Sequence, residues 1–271
     1  MIEKFYLDEW QQTHPWPDLM KVEQDLIISK ALVCLYNNKH IKDTLAFRGG
    51  TALNKIFINP AARYSEDLDF VQIPDEPVGK TIGAIRSTLD SWLGEPRRNF
   101  TKRSVKLIYR YKTIDNAQAK LKIEINITEH FKVESFQQHP FSVSSEWFNG
   151  DAFITSYTLD ELIGTKLRAL YQRRKGRDLF DLWFTLKNGL IDVSNVVSIF
   201  EKYCNFQKEP ITRAMFEKSL HLKKQHQDFQ SDILPLLAPE AQWDFSKAMK
   251  IVEAEFIQKL KGKSWRGDNM Q

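Results

Sequence analysis

Asp67 and Asp69 lie in Ser65-Glu66-Asp67-Leu68-Asp69-Phe70-Val71, where acidic and apolar residues alternate. On a strand, residues at i and i+2 project from one face, so the two carboxylates would stand side by side with Leu68 and Phe70 turned inward. Like charges held that close repel unless a cation sits between them or a proton neutralises one. Such an oxygen-rich pair suits Mg²⁺, which uses one or two protein carboxylates and completes its octahedron with water and nucleotide phosphates. A solvated acidic strand face would give the same pattern. A third carboxylate, Glu124, falls in Lys120-Leu121-Lys122-Ile123-Glu124-Ile125-Asn126-Ile127, on the face shared with Lys122 and Asn126 and opposite the isoleucines. If the two strands are neighbours, Glu124 would complete a metal-binding trio; otherwise it belongs to an ordinary wet face.

Upstream, Phe47-Arg48-Gly49-Gly50-Thr51-Ala52-Leu53 places two glycines between a short apolar strand and a helix. That arrangement lets backbone approach a ligand and turns helix N–H groups towards a phosphate, making Gly49, Gly50 and Thr51 candidate nucleotide-binding residues. It is not a Walker A loop, since Lys55 comes five residues after Gly50. Arg48, Arg63 and Arg177 could grip phosphates bidentately or anchor the motif carboxylates. Ser65 would share the face of Asp67, where it could touch a triphosphate or bond locally. Phosphorylating it would set negative charge beside the metal site.

An irregular lead-in over 1–19 precedes a helix from Met20 to about Tyr36, then a short strand over Thr44–Phe47 and a helix over Thr51–Phe57 stopped by Asn59-Pro60. After the Asp-x-Asp strand come a helix at about Val78–Leu93 and strands at Ser104–Tyr111 and Ala119–Ile127. From Thr158, whose Thr158-Leu159-Asp160-Glu161 fits a capping box, helical patterns dominate to Leu260. The expected class is therefore α+β, with a mixed-sheet domain over 1–155 and an α-helical domain over 156–271.

Composition narrows the classes. The 271 residues carry 39 Lys plus Arg against 35 Asp plus Glu, a net charge of +4, so charge placement matters more than balance. Two cysteines make neither a disulfide framework nor a four-ligand zinc site. No signal peptide or membrane-length apolar run is read, which points to a cytoplasmic protein with no membrane partner. Basic residues gather at Arg97, Arg98, Lys102, Arg103, Lys106, Arg110 and Lys112, interleaved with Phe100, Tyr109 and Tyr111, and again at Arg168, Arg173, Arg174, Lys175 and Arg177. Cations among aromatics suit an RNA surface, though a solvated face has the same composition.

Taken together, the glycine turn, the Asp-x-Asp strand and the later acidic strand resemble the DNA polymerase β-type nucleotidyltransferase superfamily. The flanks Phe47–Leu53 and Arg63–Asp69 look like the AbiEii/AbiGii toxin family, to which the MenT toxins also belong. Glu161-Leu162-Ile163-Gly164-Thr165-Lys166-Leu167-Arg168-Ala169-Leu170, Arg173 and Gly176-Arg177-Asp178-Leu179-Phe180-Asp181-Leu182 resemble that family's remaining two motifs. The resemblance spans roughly residues 45–185. It implies a polymerase β-like fold and transfer of a nucleotide from an NTP, with Mg²⁺, to an RNA acceptor such as the tRNA 3′ end. It further implies a block of translation, a toxin–antitoxin or phage-defence setting, and a cognate antitoxin protein. Asp67 and Asp69 would hold metal, and Lys166 would neutralise the triphosphate unless it is merely a surface lysine. Asp181 would assist the acceptor hydroxyl, while Asp178 could act in catalysis or serve as a helix N-cap. Two other readings stay open: nucleotide transfer to a protein or small molecule, and a catalytically inactive nucleotidyltransferase fold that binds.

Overall fold

Apolar alternation along three adjacent strands builds the layer on which the acidic residues are mounted. In the computed structural model, which describes residues 2–267, seven strands form one mixed sheet in the order β3-β4-β5-β2-β1-β7-β6. The strands are β1 (Leu45–Arg48), β2 (Asp67–Gln72), β3 (Arg97–Phe100), β4 (Ser104–Lys112), β5 (Gln118–Asn126), β6 (Gln137–Ser144) and β7 (Asn149–Ser156). β2 pairs antiparallel with β1 and parallel with β5. Along β4 and β5 every second residue is buried: Val105, Leu107, Tyr109, Leu121, Ile123 and Ile125 are all sealed from solvent. The alternate residues form the opposite, open face.

The chain divides into two compact units. One gathers the chain up to His130, Ser135–Tyr157 and Ala238–Ala241; the other takes Phe131–Glu134, Thr158–Leu237 and the chain from Gln242 on. The first unit holds the sheet with helices α1 (Lys4–Gln11), α2 (Leu19–Tyr36), α3 (Lys39–Thr44), α4 (Gly49–Ala52) and α5 (Gly79–Leu93). Within it, α4 runs on into a π-helical turn at Leu53–Phe57. α2 packs against α5 and β7, and the buried Tyr36 hydroxyl donates to the carbonyls of Leu45 and Thr155 at 3.2 and 3.1 Å, tying α2 to the sheet. The expectation of an irregular 1–19 is corrected by α1: Leu7 and Trp10, one turn apart, are buried, and the Trp10 indole donates to buried Asp25 on α2 at 3.0 Å. Strands β3, β6 and β7 were not anticipated.

The second unit is helical: α6 (Leu159–Gln172), α7 (Gly176–Lys187), α8 (Val193–Phe206), α9 (Arg213–Lys223), α10 (Gln227–Ser231) and α11 (Phe245–Glu255). Side-chain caps start several of these helices: Thr158 for α6, Asp192 for α8, Thr212 for α9 and Asp244 for α11. The expected capping box is half formed. Thr158 accepts from the Glu161 N–H at 3.2 Å, but the fully buried Glu161 carboxylate faces elsewhere. It accepts from the Val133 and Glu134 N–H groups at 2.7 and 2.8 Å and from the Tyr203 hydroxyl at 2.7 Å, which fastens segment 131–134 to the helices.

α6 and α8 approach closely at Gly164, where an added Cβ would meet Ile199 Cγ2 at 2.7 Å. Overpacking such a contact costs about 1–3 kcal/mol. Gly164→Val should therefore lower the thermal midpoint without changing the far-ultraviolet helical signal; an unchanged midpoint would contradict this packing.

Candidate active site

The strand register sets the first cluster. Arg48 on β1 lies opposite Asp69 on β2, Asp69 lies beside Glu124 on β5, and Glu124 lies opposite Lys106 on β4. One row of the open face therefore reads cation, anion, anion, cation. In the next row Asp67 stands beside Lys122, and the Lys122 ammonium reaches the Asp67 carboxylate at 2.7 Å. Burial, and then the adjacent charge of Asp67, push the Asp69 carboxyl above the usual carboxylate range, against the pull of Lys122 and Arg48. Burial works against the Lys122 ammonium, yet its hydrogen bond to Asp67 and the charges of Asp67, Asp69 and Glu124 overrule it and raise its proton affinity.

The glycine turn is shaped to this acidic strand. Gly49 has φ +84°, in the region that favours glycine, and an added Cβ would lie 2.7 Å from Asp69 Oδ2. At Gly50 a Cβ would collide with the guanidinium of buried Arg63, so that side chain lies directly under the turn. Arg63 also donates to the Tyr64 carbonyl at 3.0 Å. Arg48, at the N-cap position of α4, makes no side-chain cap; it pairs with Glu129 at 2.9 Å. Thr51 is buried, and its hydroxyl donates to the Asp67 carbonyl at 2.5 Å while lying 2.9 Å from Ser65 Oγ. Ser65 precedes β2 instead of belonging to it, so it is a partner of Thr51 and not a member of the strand face.

The strands of Asp67 and Glu124 are indeed neighbours, but among the described residues no group of three or more His, Cys, Asp or Glu side chains is arranged to hold a metal ion. Glu124 is instead engaged by Ser104 Oγ at 3.0 Å and Lys106 Nζ at 3.2 Å, turning its carboxylate towards β4. The aromatic stacking surface also changes: Tyr109 is fully buried and Tyr111 half-buried, because both share the inward parity of Leu107. Phe100 is 62% exposed but opposes inward-facing Val105, a parity opposite to that of Asp69.

The second cluster lies in the helical unit. Lys166 on α6 is buried, with its ammonium 3.3 Å from Asp178 Oδ1 and 2.9 Å from Asp181 Oδ2 on α7. The surface-lysine alternative is thereby excluded. The i, i+3 spacing does bring Asp178 and Asp181 to one face. Asp178 is not an N-cap: α7 starts earlier, with Lys175 at the cap position, and Asp178 is fully buried in its first turn. Arg173 clasps it with two hydrogen bonds, Nε at 2.6 Å and Nη2 at 2.8 Å. Burial alone would raise the Asp178 carboxyl, but Lys166 and Arg173 hold it below the ordinary value of 3.8. Arg177 is half-buried in the same first turn, and its charge acts on Asp232. Gly176 permits this start, since a Cβ there would strike the Phe229 carbonyl and lie 2.6 Å from Asp232 Oδ1.

Sequence reasoning gave Lys122, Glu129 and Lys223 no role. Lys122 and Lys106 are signalled only by period-two alternation combined with strand adjacency. Lys223 donates to the Leu170 and Tyr171 carbonyls at the end of α6, and its burial lowers the ammonium to about 8. Arg168, assigned to a basic surface, is instead buried with its guanidinium 4.8 Å from the Tyr203 ring centre.

Residues 30–251 match the family model described as the nucleotidyl transferase AbiEii toxin of type IV toxin–antitoxin systems. The chain belongs to this family. It is a nucleotidyltransferase toxin, and the family implies an NTP substrate and an antitoxin partner. Among solved structures, MenT4, a nucleotidyltransferase toxin from Mycobacterium tuberculosis H37Rv, is similar at 18% identity and TM-score 0.70, covering 96% of this chain and 91% of that one. A candidate nucleotidyltransferase from Helicobacter pylori is similar at 18% identity and TM-score 0.50, covering 90% and 99%. These likenesses establish a shared α+β fold. A search of curated proteins gave no match.

Breaking a buried ion pair by removing one partner costs about 3–5 kcal/mol, because the other charge stays buried. Asp178→Asn should destabilise the protein by about that much near pH 7. Because the folded Asp178 is held below the unfolded value, its contribution is complete above about 3.8 and fades as pH falls through the lower folded value. The gap between wild type and Asp178→Asn should therefore narrow on acidification. Urea denaturation across a pH series measures it, and a gap that widens at acid pH would contradict the assignment.

Proposed function

We propose that this AbiEii-family nucleotidyltransferase uses Mg²⁺ to transfer NMP from an NTP to an RNA acceptor, the tRNA 3′ end, with release of pyrophosphate and a block of translation. The supporting observation is that Asp67 and Asp69 share their open sheet face with Arg97, Lys106, Arg110, Lys112, Lys120 and Lys122. Of these, Arg97, Arg110, Lys112 and Lys120 are exposed. A carboxylate pair bordered by cations suits a reaction whose donor and acceptor are both polyanions, and such a face binds nucleic acid through its phosphates with strong salt dependence.

The donor set fits a divalent ion. Two carboxylates project together, burial and mutual charge burden Asp69, and an ammonium already stands against Asp67. Asp67 and Asp69 would hold Mg²⁺, leaving its other positions to water and triphosphate oxygens. When bound, the ion supplies charge neutralisation for the phosphoryl oxygens and the leaving pyrophosphate.

This chain's residues then position and neutralise. Gly49 and Gly50 bring backbone close to Asp69 and Arg63, Thr51 fixes the start of β2, and Arg63 stiffens the turn from beneath. Lys106, Arg110 and Lys120 attract the acceptor backbone. Lys166 and Asp181 would serve as triphosphate neutraliser and acceptor-activating base, with Asp178 orienting the lysine and Arg173 fixing Asp178. In this reading the protein works in the cytoplasm beside its antitoxin. Among the described residues no helix is long and apolar enough to cross a membrane.

Incubating purified protein with Mg²⁺, total tRNA and each labelled NTP in turn tests this reading. Label should pass to tRNA, fall by at least about a hundredfold in Asp67→Asn, where an electrostatic contact to the reacting phosphate is lost, and decline steeply with salt. Arg110→Glu with Lys120→Glu should raise the KM for tRNA and flatten the salt slope. Label on a protein band in place of tRNA, or a salt-independent KM, would overturn the RNA reading.

A further inference from the structure

Lys122 stands where the dyad most needs positive charge. It is the register partner of Asp67 on the adjacent parallel strand, and its ammonium is 2.7 Å from Asp67 Oδ2 and 3.8 Å from Glu124 Oε2. Glu124, beside Asp69 on the next strand, is held from its far side by Ser104 and Lys106, so it offers Lys122 a fixed second anchor. The Lys122 and Asp67 side chains are 25% and 33% exposed, so the ion pair borders solvent and the four-carbon stem has room to swing.

We propose that Lys122 is the resident counter-ion of the Asp67–Asp69 pair, a positioning residue that disfavours a bare divalent ion and yields Asp67 to one that arrives with a nucleoside triphosphate. The inference rests on the reading that a divalent ion and an NTP share this dyad. In the free protein, Lys122 relieves the repulsion between the two carboxylates and reduces the local charge of the pair from two negatives to one. A hydrated divalent ion gains less from such a site and must also lie near an ammonium. A triphosphate changes the balance, because its oxygens accept the three donors of the ammonium. Lys122 then exchanges Asp67 for phosphate or for Glu124, with no charge left unpaired. A salt bridge with a purely structural role would make a different prediction, since its removal would loosen the strands and weaken metal binding.

Binding of Mn²⁺ to the full chain, followed by electron paramagnetic resonance with and without a non-hydrolysable NTP analogue, separates these cases. Wild type should bind Mn²⁺ weakly alone and tightly with the analogue. Lys122→Gln should bind bare Mn²⁺ at least about tenfold more tightly, as removal of one nearby charge implies, and the analogue's enhancement should shrink by the same factor. Lys122→Arg should stay close to wild type, and adding Asp67→Asn to Lys122→Gln should abolish the gain. If Lys122→Gln binds bare Mn²⁺ no better than wild type while the analogue still recruits the ion, the counter-ion role is wrong and the two-aspartate metal site stands. If no variant binds Mn²⁺ even with the analogue, the metal reading fails and the proposal falls with it.

Discussion

The mutual repulsion of Asp67 and Asp69 is the constraint around which the sheet-bearing unit is arranged. Two carboxylates on one strand face, one of them largely buried, cannot be held without compensation. Lys122 is supplied by the parallel neighbour β5, and Arg48 opposes Asp69 from the antiparallel neighbour β1. The turn before α4 comes so close to Asp69 that Gly49 has no space for a Cβ. Thr51 anchors the first residue of β2 through its carbonyl. Strand order is what makes this possible, because it sets β5, which bears Lys122, and β1, which leads into the glycine turn, on either side of the acidic strand.

The helical unit meets a comparable problem by a different route. Lys166, Asp178 and Asp181 are withdrawn from solvent and neutralise one another, with Arg173 satisfying both oxygens of Asp178. A cluster of this kind is costly to assemble and contributes little net stability over a well-packed apolar core. Fixed, water-excluded charges are, however, what a reaction dominated by electrostatic stabilisation uses. The same trio is exposed to disruption by any change that neutralises a single member.

How much of this was legible in the sequence depends on the range of the interaction. Local signals read well: the Asp-x-Asp strand, the glycine turn, the cap at Thr158, and the common face of Asp178 and Asp181 all follow from spacing within one element. Pairings between elements did not. Period-two alternation puts Lys122 and Glu124 on one face, but only strand order shows that Lys122 meets Asp67 and that Lys106 takes up Glu124. The basic runs misled in the same way. Tyr109 and Arg168 sit among charges in the sequence, yet strand parity and helix packing bury them. β6 was missed because Pro140 and a polar outer row conceal an edge strand paired only on one side. Lys166 could not be told from a surface lysine until its two aspartates, one helix away, were in view.

Burial and the adjacent charge of Asp67 together burden the Asp69 carboxylate. Carboxyl ¹³C chemical shifts of aspartate-labelled protein, followed through an acid titration, measure that burden directly. Asp69 should titrate above the ordinary aspartate value of 3.8 in the metal-free protein, and its midpoint should fall in Asp67→Asn. A midpoint at or below that value, or one that Asp67→Asn leaves unmoved, would contradict the account.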